Sequence, residues 1–117
     1  MELLNLKEAI WKKRYTYLKV MGFQKYLPSG VTFEVVKFEP NSSVDPHYHL
    51  KTQEIYVVIE GSAVLSLDGV PQALDLNHIY FLPPRTTHAL KTKEGITLAI
   101  FKPHAEKSDT HWGYCDE

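Results

Sequence analysis

Turn-forming residues recur so closely along this chain of 117 residues that little room is left for helices. Pro28-Ser29-Gly30, Pro40-Asn41, Gly61, Asp68-Gly69, Asn77, Pro83-Pro84 and Glu94-Gly95 cut it into short segments. These residue types interrupt regular structure because they accept positive φ, fix φ or lack a backbone donor. The segments between them are rich in β-branched and aromatic residues: Tyr15 to Phe23, Val31 to Phe38, Pro46 to Leu50, Glu54 to Ile59, Ala63 to Leu67, Val70 to Leu74, Ile79 to Leu82, Thr87 to Thr92 and Ile96 to Lys102. Asp68-Gly69 between two alternating runs is a strong hairpin signal. Short strands at regular spacing predict an all-β sandwich or barrel. The N-terminus reads differently. Asn5 followed by Glu8 matches a capping box, and Leu6, Ile10 and Trp11 make a short apolar face, which predicts a short helix. Lys12-Lys13-Arg14 is expected at its solvated end.

Chemistry concentrates in His47-Tyr48-His49, Glu54 and His88. Histidines one residue apart face the same side of a strand, and imidazole with carboxylate suits a borderline divalent transition metal. Asp45-Pro46 disfavours helical backbone just before the pair, and a metal-binding helix would space its histidines at i, i+4. Glu54 follows His49 by an odd interval, so one continuous strand would turn it to the opposite face. Leu50-Lys51-Thr52-Gln53 is therefore expected to turn the chain as a hairpin, with Glu54 on the returning strand. His78, His104 and His111 have no comparable support.

These residues resemble the cupin family. The family's first motif is a glycine, five residues, His-x-His, three or four residues, Glu, six residues and a glycine; this chain has Asn41, five residues, His47-Tyr48-His49, four residues, Glu54, six residues and Gly61. The second motif is a glycine, five residues, Pro-x-Gly-x-x-His, three residues and an asparagine; here it reads Asn77, five residues, Pro83-Pro84-Arg85-Thr86-Thr87-His88, three residues and Thr92. The motifs thus occupy 41–61 and 77–92 of a single domain, 1–117. Asn41 and Asn77 tolerate the left-handed backbone of the glycines they replace. Arg85 does so less readily, and a rebuilt turn is expected there.

The resemblance implies a jelly-roll, or double-stranded β-helix, barrel with one divalent transition ion inside, held by His47, His49, Glu54 and His88. Ligand type does not choose among Fe, Mn, Ni, Cu and Zn. Cupins with this ligand set include dioxygenases, oxalate-type decarboxylases, lyases and sugar-phosphate isomerases. The leading expectation is a metal-dependent enzyme, dioxygenase-like or using other Lewis-acid or redox chemistry on a small molecule. The alternatives are a sugar-phosphate isomerase-like enzyme and a non-catalytic module that binds a small ligand or metal. Tyr56, on the face of Glu54, is the candidate catalytic group, beside the plainer role of a packed barrel tyrosine. Arg85 is the candidate substrate contact for a carboxylate or phosphate, beside the plainer role of a solvated turn arginine. Glu34 and Lys37 lie on a strand without clean alternation, and neither is assigned a face.

Charge and composition narrow the partners. A net charge of -1 gives no long-range pull on nucleic acid, and no segment has the ~20 apolar residues that span a bilayer. The first residues lack the apolar core of a signal peptide. With one cysteine, Cys115, a reducing cytoplasm is expected. If Glu54 faces inward, Ile55, Val57 and Ile59 face outward, and the strands 79–82 and 96–101 are apolar on both faces. Such an outer surface needs cover, so a homodimer is expected. The aromatic tail Thr110 to Cys115 is expected to pack over the barrel or a neighbouring subunit.

Overall fold

The structure, a computed structural model, describes residues 5, 7 and 10–115. Eleven strands run through them: β1 (Lys12–Tyr15), β2 (Leu18–Gly22), β3 (Thr32–Phe38), β4 (Ser42–Tyr48), β5 (Glu54–Gly61), β6 (Ala63–Leu67), β7 (Val70–Leu74), β8 (Ile79–Leu82), β9 (His88–Thr92), β10 (Ile96–Lys102) and β11 (His111–Trp112). They form two antiparallel sheets, ordered β1-β2-β3-β10-β5-β8 and β11-β4-β9-β6-β7. Their inner faces close on Leu18, Val36, Phe38, Val58, Leu65, Leu74, Leu82, Leu90, Leu98 and Ile100, all buried. This is the expected all-β jelly roll.

Turn chemistry explains most boundaries. Asp68 (φ 48) and Gly69 (φ 82) are both left-handed, which matches the twist of the β6–β7 hairpin. Asn41 (φ 58) and Asn77 (φ 72) make left-handed turns as expected, and Arg85 (φ 68) does too. The turn at Arg85 is therefore not rebuilt; an arginine takes the conformation that glycine would adopt more easily. Gly61 (φ 82) is obligatory, because a Cβ there would lie 2.2 Å from the Gly95 carbonyl oxygen. Pro71 sits in β7, an edge strand, where the missing donor is tolerated.

Four expectations are corrected. Tyr15 to Phe23 is a hairpin, β1 turning into β2 at Thr16-Tyr17, rather than one strand. Neither turn residue signals a turn; the Tyr17 ring stacks between Tyr15 and Phe38, 5.5 and 6.4 Å away, so packing decides the reversal. No α-helix occurs among the described residues, and Lys12-Lys13-Arg14 belongs to β1 instead of a helix end. Glu8 of the capping box and Leu6 of the apolar face lie outside the described residues, while Trp11 packs against Met21, Phe23, Val35 and Ala99 on the outer face. Residues 50–53 do turn the chain, but β4 and β5 belong to different sheets, so the turn crosses the barrel instead of making a hairpin. Finally, β4 begins at Ser42, four residues before Pro46.

β4 carries a bulge between Val44 and His47, where Asp45-Pro46 interrupts pairing with β9. Val44 pairs Leu90 and His47 pairs His88, so one extra residue is taken up on β4. An odd interval would otherwise turn these side chains apart; the bulge lets both line the lumen. Proline fits there because its missing N–H removes no ladder bond.

Candidate metal centre

Three strands and one crossover bring the centre together. β4 supplies His47, with His49 just beyond its end; β9 supplies His88, directly opposite His47; β5 supplies Glu54 from the facing sheet. The ligand nitrogens of His47, His49 and His88 lie within 4.8 Å of one another. Glu54 Oε1 is 2.7 Å from His49 Nε2 and 3.2 Å from His88 Nε2. Glu54, His49 and His88 are buried, and His47 is half-buried. The four residues expected to form a ligand set converge.

The outer nitrogens fix how the rings present themselves. Nδ1 of His47 donates to the Asp45 carbonyl oxygen at 2.9 Å, that of His49 to the Asp109 carbonyl at 2.9 Å, and that of His88 to the Thr86 carbonyl at 3.1 Å. A carbonyl oxygen only accepts, so each bond places a proton on Nδ1 and leaves the neutral ring's lone pair on Nε2, facing inward. This is the outer-sphere arrangement that orients metal-ligating histidines. Glu54 Oε1 and His88 Nε2 are buried and have no hydrogen-bond partner among the described residues. Two acceptors 3.2 Å apart, with a second imidazole, that of His49, beside them, fit a cation between them. The donor set suits a divalent transition ion, and any of the four residues can contribute to holding one.

Electrostatics agree. Burial lowers the His47 pKa to about 4, assisted by the neighbouring His88, so at neutral pH His47 is an uncharged donor. Burial works against charging His49, but the adjacent Glu54 carboxylate outweighs it and raises the pKa. Burial opposes ionising Glu54 as well; His49, His88 and Lys102 overcome it and hold the carboxyl well below the usual range. Tyr56 is buried, and desolvation with the nearby Glu54 charge pushes its phenol well above the ordinary value. It therefore faces the lumen as a neutral hydroxyl.

The lumen beside these ligands holds about 170 Å³ and is lined by Tyr17, Val44, Leu90, Leu98, Ile100 and Trp112 among others. That is below the ~300–1,000 Å³ of pockets for drug-sized ligands, so it suits a small molecule. Sequence reading missed its cations. Arg85 is exposed, does not line this lumen, and engages the centre through its backbone, whose N–H donates to the His49 carbonyl at 2.6 Å. Lys102, at the end of β10, lies in the lumen with Nζ 4.0 Å from Glu54 Oε2. Arg14 and Glu34 face each other at the same cavity, paired at 2.7 Å. Lys37 points out to solvent.

Asp109 was also missed. Its carboxylate accepts from the backbone N–H groups of Leu50, Lys51 and Thr52 at 2.9, 2.9 and 3.0 Å and from the Thr52 hydroxyl at 2.9 Å. It thereby clamps the crossover between His49 and Glu54, while its own carbonyl orients His49. The tail that carries it docks as expected: β11 pairs with β4, Gly113 N–H donates to Pro46, Cys115 N–H donates to Thr87, and Trp112 stands 5.1 Å from the His47 ring. His104 and His111 pair with Glu106 and Asp109 instead of joining the centre, and His78 is exposed.

With this barrel and histidine cluster in view, residues 34–101 match the family described as Cupin domain. The chain belongs to the cupin family. It is 27% identical over 73 residues to the dimethylsulfoniopropionate lyase DddW of Ruegeria pomeroyi, a match that takes in 62% of this cupin and 47% of the lyase. The cupin thus matches about half the length of that relative. Among solved structures, the polyketide cyclase RemF from Streptomyces resistomycificus superposes with a TM-score of 0.83 at 17% identity, covering 100% of this cupin and 88% of RemF. KdgF from Halomonas sp. superposes at 0.76 and 18% identity, covering 91% and 96%. At such identities the likeness is one of fold.

Proposed function

We propose that this cupin is a metal-dependent enzyme, with His47, His49, Glu54 and His88 holding one divalent ion beside a lumen for a small molecule. The observation that carries this proposal is the shared orientation of three imidazoles, each tied through Nδ1 to a carbonyl so that Nε2 faces a common point near Glu54. Bound there, the ion would supply Lewis-acid chemistry, or redox chemistry if it is iron, manganese, nickel or copper. The chain's own contribution is to exclude bulk water with apolar walls and to present one neutral hydroxyl, that of Tyr56, as a proton donor to substrate. Dioxygenase-like chemistry is the leading reaction class. Lyase chemistry is favoured by one specific finding, the 27% sequence identity over 73 residues to a dimethylsulfoniopropionate lyase. Arg85 enters as a contact of the rim.

The experiment reconstitutes the protein with Fe(II), Mn(II), Ni(II) or Zn(II) and incubates it with a panel of small organic acids. Substrate loss is followed by NMR and oxygen by electrode. Oxygen uptake with iron supports the dioxygenase class, and turnover with zinc in the absence of oxygen supports a lyase or isomerase. Tyr56→Phe should then lower kcat at least ~100-fold with metal content unchanged, the usual range for a lost proton-transfer group. An unaltered kcat removes Tyr56 from the mechanism.

A cytoplasmic homodimer completes the proposal. Val57 and Ile59 are each 38% exposed, Ile79 57% and Phe81 61%, forming an apolar strip on neighbouring strands β5 and β8. Light scattering at micromolar concentration is expected to give twice the chain mass, and Phe81→Glu to halve it. A monomeric mass for the unaltered protein excludes the dimer.

A further inference from the structure

Among the described residues, four charged side chains face the lumen: Arg14, Glu34, Glu54 and Lys102. Arg14 and Glu34 satisfy each other through two contacts, at 2.7 and 3.5 Å. Lys102 stands apart from that pair. It follows Ile96, Leu98 and Ile100 on the inward side of β10, with its side chain only 24% exposed. Among the described residues its one carboxylate within ion-pair range is Glu54, at 4.0 Å, the outer limit of such a contact. Glu54 meanwhile turns its other oxygen to His49 and His88.

An ammonium in this position works against a metal centre, since a positive charge close to Glu54 competes with any cation the carboxylate holds. Once Glu54 is engaged by an ion, Lys102 is a lumen cation without a matching anion, in a space walled by Leu98, Ile100 and Val36. Both its charge and its place call for an anionic group brought in by the ligand. We propose that Lys102 is a specificity-determining residue that anchors the carboxylate of a small organic acid beside the metal centre. The inference rests on the metal-dependent function proposed above and names its substrate class. The lumen volume limits that acid to a few heavy atoms beyond the carboxylate, and the apolar walls favour a hydrocarbon body over a sugar.

The test compares unaltered protein, Lys102→Met and Lys102→Arg, each loaded with zinc and assayed for zinc by elemental analysis. Propionate and its neutral isostere propionamide are titrated into each by calorimetry. The unaltered protein is expected to favour propionate at least tenfold. Lys102→Met should lose at least tenfold in propionate affinity, keep its propionamide affinity, and hold zinc as tightly as before or more tightly; Lys102→Arg should retain most of the propionate affinity. Equal propionate affinity in Lys102→Met, or no preference for propionate in the unaltered protein, overturns the proposal. Absence of zinc from unaltered protein would instead count against the metal centre. With no ion on Glu54, Lys102 keeps that carboxylate as its partner, so this result overturns the anchor together with the centre, and the zinc assay tells the two failures apart.

Discussion

Asp109→Ala is expected to destabilise the protein by about 3 kcal/mol and to weaken metal binding tenfold or more. The stability figure follows from the bonds removed. The carboxylate accepts three backbone N–H groups and one hydroxyl; hydrogen bonds to a charged group are worth roughly 1.5–3 kcal/mol each and are far from additive. Losing it also leaves buried donors at Thr52 unsatisfied. The metal effect follows from geometry. Residues 50–52 set the path from His49 to Glu54, and the Asp109 carbonyl holds the His49 ring, so a slack clamp disperses the ligands; loss of such outer-sphere partners costs about 10–100-fold in affinity. Urea unfolding measures the first effect and zinc titration the second. A midpoint within error of the unaltered protein would show that the tail does not hold the barrel closed.

The same carboxyl gives the effect a pH dependence. Burial raises the Asp109 pKa, but the Lys51 and Leu50 N–H groups, the Thr52 hydroxyl and His111 overcome it and hold the value well below normal. A depressed folded pKa means that the stabilisation is complete above the unfolded value of about 3.9 and is lost as pH falls towards the folded value. The gap in stability between unaltered protein and Asp109→Ala should therefore stay constant from pH 7 to pH 5 and narrow below pH 4.

The double substitution His47→Ala, His49→Ala is expected to lower metal affinity by roughly a thousandfold or more, given that changes one bond removed from a ligand already cost about 10–100-fold. Two of the three inward nitrogens disappear, and Glu54 loses the imidazole 2.7 Å away. The fold should survive, because both side chains sit at the end of β4 beside a bulge and contribute little to the apolar core. Far-ultraviolet circular dichroism should be superimposable on that of the unaltered protein. Affinity of the unaltered protein should itself fall as pH drops, first through protonation of His49, whose pKa is raised, and further near pH 4 as His47 protonates, because protons compete for the imidazole lone pairs.

What was legible in the sequence were features with local causes. Turn residues marked the strand ends, and period-two spacing placed His47 with His49 and Glu54 with Tyr56 and Val58. What escaped notice depends on contacts distant in sequence. Asp109 looks like one more polar tail residue; only folding brings it to Thr52, 57 positions away. Lys102 closes a strand apolar on both faces, where alternation cannot reveal the inward side. Arg14 was read into a helix because its neighbours are basic, yet its partner Glu34 is reached across β2. The turn at Thr16-Tyr17 is set by ring stacking and has no turn residue to announce it.

Elemental analysis of protein purified without chelator, beside the His47→Ala, His49→Ala variant, tests the metal centre most directly. The expected result is close to one equivalent of a single transition metal per chain in the unaltered protein and almost none in the variant. Equal metal in the two proteins, or none in the unaltered protein even after reconstitution, would contradict a centre built from His47, His49, Glu54 and His88.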